Sequence, residues 1–201
     1  MKTTHERENP LTKRREPFNF LLWLGIASSV MIFTVLLGVY GIRKASPSWI
    51  NAPLPPLFIY STLVIIVSSL TLHLAKYSLK TDRFRQYRLY VGTTLALGVL
   101  FVVLQLLGWK QLLDGGNSLN NNPSVAFIYL ISGLHILHIL GGLVALGWAF
   151  YQSIKNFSYV DSFIFSVNPP NQLRLRLITV YWHFVDVLWL LLFAFLLLQH
   201  A

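Results

Sequence analysis

Along the chain, long apolar runs alternate with short polar segments. Five of the runs reach about the 20 residues a helix needs to cross the hydrocarbon core. They cover roughly 18–40, 57–74, 89–109, 124–151 and 175–198. Between the first two lies a proline-rich link, 46–56, in which Pro47, Pro53, Pro55 and Pro56 forbid continued helix. A basic loop is expected over 76–88, an Asp-Gly-Gly and Asn-rich turn over 114–123, and a polar-aromatic loop containing Asn168-Pro169-Pro170 before the last run. All nine prolines fall outside the apolar cores, and neither a repeat nor a low-complexity segment interrupts the pattern. The pattern predicts an all-α membrane bundle of five transmembrane helices, residues 18–201, behind a polar basic tail, residues 1–17. No cleavable targeting signal is expected, because the first apolar run is longer than a signal peptide's core.

Composition agrees: 55% of the residues are hydrophobic and 11% charged, against about a quarter charged in soluble domains. The net charge of +9 raises the question of nucleic acid. A nucleic-acid binder gathers its cations on one soluble face, whereas these sit in the segments between apolar runs. Counted on alternating segments, Lys and Arg number 13 on the side of the tail, the second loop and the fourth loop, and 3 on the other. That asymmetry predicts a cytoplasmic N-terminus and a periplasmic C-terminus. The absence of cysteine excludes disulfides, thiolate zinc sites and iron–sulfur clusters held by this chain.

Ionisable groups inside the apolar runs are few. They are His73, His135, His138, His183 and Asp186, and each is costly in a bilayer unless paired, which makes it a functional candidate. His135 with His138, and His183 with Asp186, are spaced i,i+3 and so share a helical face. At about 1.5 Å per residue, His138 lies about 16 Å and Asp186 about 13 Å from the basic end. Asp186 is therefore expected to pair with His138, or with another helix on the same side. One histidine from each helix could also hold a haem, but no intramembrane Glu completes a carboxylate di-metal site, and packing is the favoured role. Three i,i+4 pairs, Gly25 with Ser29, Gly92 with Ala96 and Gly141 with Ala145, are candidate close approaches between helices. Trp23, Trp49 and Trp109 are candidate interfacial anchors.

The stretch Tyr181-Trp182-His183-Phe184-Val185-Asp186-Val187-Leu188-Trp189 resembles the signature of the cytochrome c oxidase subunit III family. Ser132-Gly133-Leu134-His135-Ile136-Leu137-His138 with Gly141-Gly142 is similar to the family's Gly-x-His-x-x-His run. Leu104-Gln105 matches a weaker pattern, and Ser68-Ser69-Leu70-Thr71 is compatible with the short bacterial forms. The resemblance implies a five-helix, multi-pass protein of the bacterial inner membrane. It would be bound directly beside oxidase subunit I, in one complex with subunit II, with room for a larger respiratory assembly. By the same resemblance this subunit carries no redox centre, haem and copper belong to its partners, and phospholipid is held in a cleft between two helix groups. Its complex would reduce oxygen to water with proton pumping. The resemblance also makes His135, His138, His183, Asp186, Gln105 and His73 one intramembrane polar network.

Two departures stand out. Where the family often has Ser-Glu, this chain has Ser28-Ser29, and where an acidic residue follows the Leu-Gln pair it has Gly108. Proton-handling roles of those carboxylates are not carried over. Competing expectations are a quinol oxidase subunit III, a nitric-oxide-reductase-associated homologue, a small haem-b cytochrome using His138 and His183, and a transporter. The last would need broken helices and repeats.

Overall fold

A computed structural model describes residues 16–46, 49–50, 52–114, 122–155 and 158–200. Most of the tail lies outside the described residues, as do 47–48, 51, 115–121 and 156–157. Among the described residues six helices follow in order: α1 (Glu16–Lys44), α2 (Leu57–Lys80), α3 (Phe84–Asp114), α4 (Pro123–Lys155), α5 (Tyr159–Val167) and α6 (Pro169–His200). Five of them are long and apolar enough to cross a membrane. α3 packs against both α2 and α4, and α6 against both as well, closing a four-helix ring; α1 lies on the α4–α6 edge.

The basic loop expected over 76–88 is a tight turn between helices that run on past the apolar runs. The Arg83 amide donates to the Ser78 carbonyl (2.9 Å) and the Asp82 amide to Leu79 (3.4 Å). That is the Schellman arrangement, which satisfies the last carbonyls of a helix through a left-handed residue. Asp82, at φ 55°, supplies it. Lys80 therefore rides on the last turn of α2 and Lys76 a turn earlier, where long aliphatic stems reach the polar layer from an apolar helix. The loop expected after 151 also turns out helical. α5 is nine residues, too short to span, and leaves Val160, Ile164 and Val167 exposed. Pro169-Pro170 begin α6 rather than interrupt it, because proline's fixed φ suits the first turn, where its missing N–H is not needed. Arg88 fastens α5 to the ring: its Nε donates to the Ser153 carbonyl (2.7 Å) and its guanidinium to Ser162 Oγ (2.8 Å).

Close approach occurs at different glycines from those expected. A methyl group on Gly25 would meet nothing within 4 Å, and one on Gly141 only the Tyr181 hydroxyl at 3.5 Å. Of the three expected pairs, Gly92 does sit tightly, 2.8 Å from the Phe150 ring. The other tight positions are Gly98, Gly108 and Gly142. A Cβ at Gly98 would lie 2.7 Å from Trp182, one at Gly142 2.9 Å from the same indole, and one at Gly108 2.6 Å from Phe58. Trp182 is thus wedged between α3 and α4 where each helix has no side chain.

Overpacking of a well-filled core typically costs about 1–3 kcal/mol. Gly98→Ala and Gly142→Ala should each lower the thermal midpoint of the detergent-purified protein, while Gly25→Ala should leave it unchanged. Equal midpoints for all three would mean that α3, α4 and α6 are not packed around Trp182 in this way.

Candidate functional site

The polar groups of the membrane interior gather around the middle of α6, residues 181–189. In hydrocarbon an indole N–H or a hydroxyl finds no water, so each needs a partner from another helix. Tyr181 donates to the His138 carbonyl (3.1 Å), Trp182 Nε1 to Ser68 Oγ (3.1 Å) and Trp189 Nε1 to Thr62 Oγ1 (2.9 Å). His183 Nδ1 and Ser69 Oγ are 2.8 Å apart. The α2 hydroxyls come as two pairs seven residues apart, Ser61-Thr62 and Ser68-Ser69, and the tryptophans of α6 are also seven apart. The two hydroxyls that accept from the tryptophans, Ser68 and Thr62, are six residues apart, so the antiparallel pair meets twice, about two turns apart.

The remaining candidates do not form one network. His138 Nδ1 faces the Leu134 carbonyl (2.8 Å), so that nitrogen donates, and Nε2 meets Ser29 Oγ on α1 (2.9 Å). Gln105, fully buried, donates to Ser61 Oγ (2.8 Å). His135 is also fully buried and has no hydrogen-bond partner for either nitrogen. Its ring lies 5.0 Å from Trp189 and 5.8 Å from Phe101, so aromatic packing holds it. His73 is exposed, close to His183 on the outer surface of the bundle. The six residues fall into separate groups, because i,i+3 neighbours are about 60° apart around a helix and these point to different neighbours.

The expected pair of Asp186 and His138 is not made. Asp186 is 3% exposed and faces the bundle, but neither carboxyl oxygen has a hydrogen-bond partner. The Ser69 hydroxyl is close by, yet its well-formed bond goes to His183. His138 and His183, the two histidines a haem would need, bond to α1 and α2 respectively. Among the described residues no three of His, Asp and Glu converge as a metal-ligand set. What the arrangement does chemically is join helices through hydroxyls. Sequence reasoning passed over the α2 hydroxyls as donors' partners, although their seven-residue repeat is visible. Of the tryptophans, Trp109 is tied to Ser132 Oγ (2.9 Å) and stacked on Tyr129, while Trp23 is exposed.

The sequence model of a family described as cytochrome c oxidase subunit III matches residues 15–199, nearly the whole chain. The chain belongs to the cytochrome c oxidase subunit III family. It is 32% identical to a probable cytochrome c oxidase subunit 3 of Mycobacterium tuberculosis (strain ATCC 25618 / H37Rv), over 87% of this chain and 83% of that protein. It is 27% identical to the cytochrome bo(3) ubiquinol oxidase subunit 3 of Buchnera aphidicola subsp. Baizongia pistaciae, over 86% and 87%. To the cytochrome c oxidase subunit 3 of Bacillus sp. (strain PS3) the identity is 26%, over 86% and 81%. The two departures from the subunit III pattern have physical counterparts. Ser29, where the resemblance led us to expect a carboxylate, gives its hydroxyl to the contact with His138. Gly108 has no space for an acid, since the Phe58 ring occupies it.

Because Trp182 and Ser68 share a hydrogen bond, Trp182→Phe and Ser68→Ala should be non-additive. Interhelical bonds in membranes couple by about 0.6 kcal/mol, at most about 1.7, so a coupling in that range is expected from thermal unfolding of the two single variants and the double. Strict additivity would show that the indole and hydroxyl are not bonded.

Proposed function

We propose that this protein is the non-catalytic subunit III of a proton-pumping cytochrome c oxidase in a bacterial inner membrane. There it stabilises subunit I, in one complex with subunit II, and binds phospholipid. Haem and copper belong to the partner subunits. The observation that carries the proposal is the subunit III match over residues 15–199 on a chain in which His135, His138 and His183 are engaged with hydroxyls, a carbonyl and aromatic rings. Relatives named for cytochrome c oxidase are 26% to 32% identical and those named for the bo(3) quinol oxidase 25% to 27%, so subunit III of a quinol oxidase is the second reading. The excess of Lys and Arg at one end of the bundle supports placing that end, with the N-terminus, in the cytoplasm.

Purification through this chain from its native membrane in mild detergent, followed by an absorption spectrum, tests the proposal. Haem-containing subunits should come with the chain, oxidise cytochrome c, and keep their haem when the chain is stripped away. A chain that comes alone and carries its own haem would overturn the proposal. Oxidation of quinol but not cytochrome c would move it to the quinol oxidases.

Asp186 sits in the helix core and not at a reacting centre. Asp186→Ala should therefore lower the yield of assembled complex, or shorten its working life, more than its initial rate of oxygen consumption. Unchanged yield with an immediate loss of oxygen reduction would contradict a structural role.

A further inference from the structure

Ionisable side chains in transmembrane segments almost always face the bundle interior or a water-filled cavity. His73 does neither. It is exposed on α2, seven residues before Lys80 and so about 10 Å from the end of the helix. Among the described residues it makes no hydrogen bond. Half-buried His183 stands close to it on α6, and Lys76, one turn from His73, lies close to His183 as well. Ser69 Oγ is 2.8 Å from His183 Nδ1. With the hydroxyl donating there, Nε2 carries the proton of the neutral ring and finds no acceptor among the described residues.

From these histidines inward the outer face turns apolar on both helices. On α2 Ile66 and Ile59 follow His73 at seven-residue intervals, and on α6 Leu190 follows His183 by seven; all three are exposed. A seven-residue spacing keeps a row on one side of a helix, as packing against a neighbouring helix requires. The polar end limits what can cover this face. Lipid tails would cover the isoleucines and leave two imidazoles and an ammonium unmatched, while head groups lie at the helix ends, beyond the reach of His73. A second copy of this chain would bring the same cations. Of its seven acidic residues only Asp186 lies in an apolar run, and that side chain is buried. We propose that the outer α2–α6 face docks a transmembrane helix of a different protein, one bearing an aspartate or glutamate level with His73 and His183 and an apolar surface beyond it. The carboxylate accepts from His73 and from His183 Nε2, with Lys76 adding charge complementarity. The inference rests on the subunit III reading and deepens it, giving the contact with another subunit a face and a chemistry.

The test places a photo-crosslinking amino acid at Ile66 or at Val187, which is exposed one turn from His183. Native membranes are illuminated, the complex is purified through this chain, and the linked peptides are identified by mass spectrometry. Both positions should link to one and the same apolar segment of another protein, with an Asp or Glu within two turns of the linked residues. His73→Leu leaves no cavity in this chain, because the side chain is exposed. It should weaken retention of the linked protein on dilution in detergent by about threefold to twentyfold, the range of one interhelical hydrogen bond. Replacing the identified carboxylate by leucine should cost as much, and adding His73→Leu to it should cost little more. On a face covered by lipid, His73→Leu would leave retention unchanged. Photoproducts limited to lipid, a linked segment without an acidic residue, or unchanged retention in His73→Leu would overturn the docking face. Absence of haem-containing subunits from the unmodified preparation would count against the subunit III assignment instead, and the photoproducts would still decide the face.

Discussion

A bilayer interior offers no water to a polar group, and the fold of this protein turns on how one indole meets that constraint. Trp182 must give its N–H to something and must place a large ring somewhere. Ser68 on α2 takes the hydrogen bond, while Gly98 on α3 and Gly142 on α4 provide the space. One side chain of α6 therefore fixes three other helices at once, and Trp189 makes a second such bond to Thr62 about two turns on. Without a hydrophobic driving force between helices, close packing and such hydrogen bonds are what remain to hold a membrane bundle together.

α1 is held on different terms. Ser29 meets His138, Phe33 and Tyr40 are buried, and Lys44 Nζ donates to Gln199 at the far end. Tyr40 sits edge-on to Trp49, Phe127 and Phe195, with ring centroids 5.0 to 5.6 Å away. The rest of the helix, Met31 and Ile42 among it, faces outward. The ring of α2, α3, α4 and α6 is an internally bonded unit, with α1 fastened to its edge at a few points.

The five spans were legible because hydrocarbon thickness sets a length that apolar runs either reach or do not. Their ends were less so. Lys76, Lys80, Arg83, Arg85 and Arg88 read as loop by polarity, but helices extend through the head-group layer, and only the left-handed Asp82 marks the turn. α5 was hidden for the converse reason: nine amphipathic residues between two spans resemble a loop until Ser162 is seen bonded to Arg88. The site divided in the same way. Which residues matter could be read, since polar groups in an apolar run are conspicuous. Their partners could not, because an i,i+3 spacing fixes a helical face only to within a quadrant. Asp186 was matched to the nearest histidine by depth, whereas His138 turns to α1 and His183 to a serine. The packing glycines were hidden too, since Gly98 and Gly108 differ from Gly25 only in what stands opposite.

Ser29 and Gly108 bear on what the architecture needs. A buried carboxylate in a helix bundle demands partners, and when it is replaced those partners must be satisfied anew. Here His138 finds the Ser29 hydroxyl, and the space at Gly108 is taken by Phe58, which stacks edge-on to Trp189 at 5.9 Å. Both positions are closed by local packing, and the α2–α6 register runs past Phe58 undisturbed to Thr62. The fold therefore stands without either carboxylate. Asp186 differs: buried and unpartnered in the middle of the signature stretch, it has been given no neighbour that would make it dispensable. A hydroxyl near it, that of Ser69, is also the hydroxyl that meets His183. The carboxyl thus lies beside a hydroxyl already committed to another residue of its own helix.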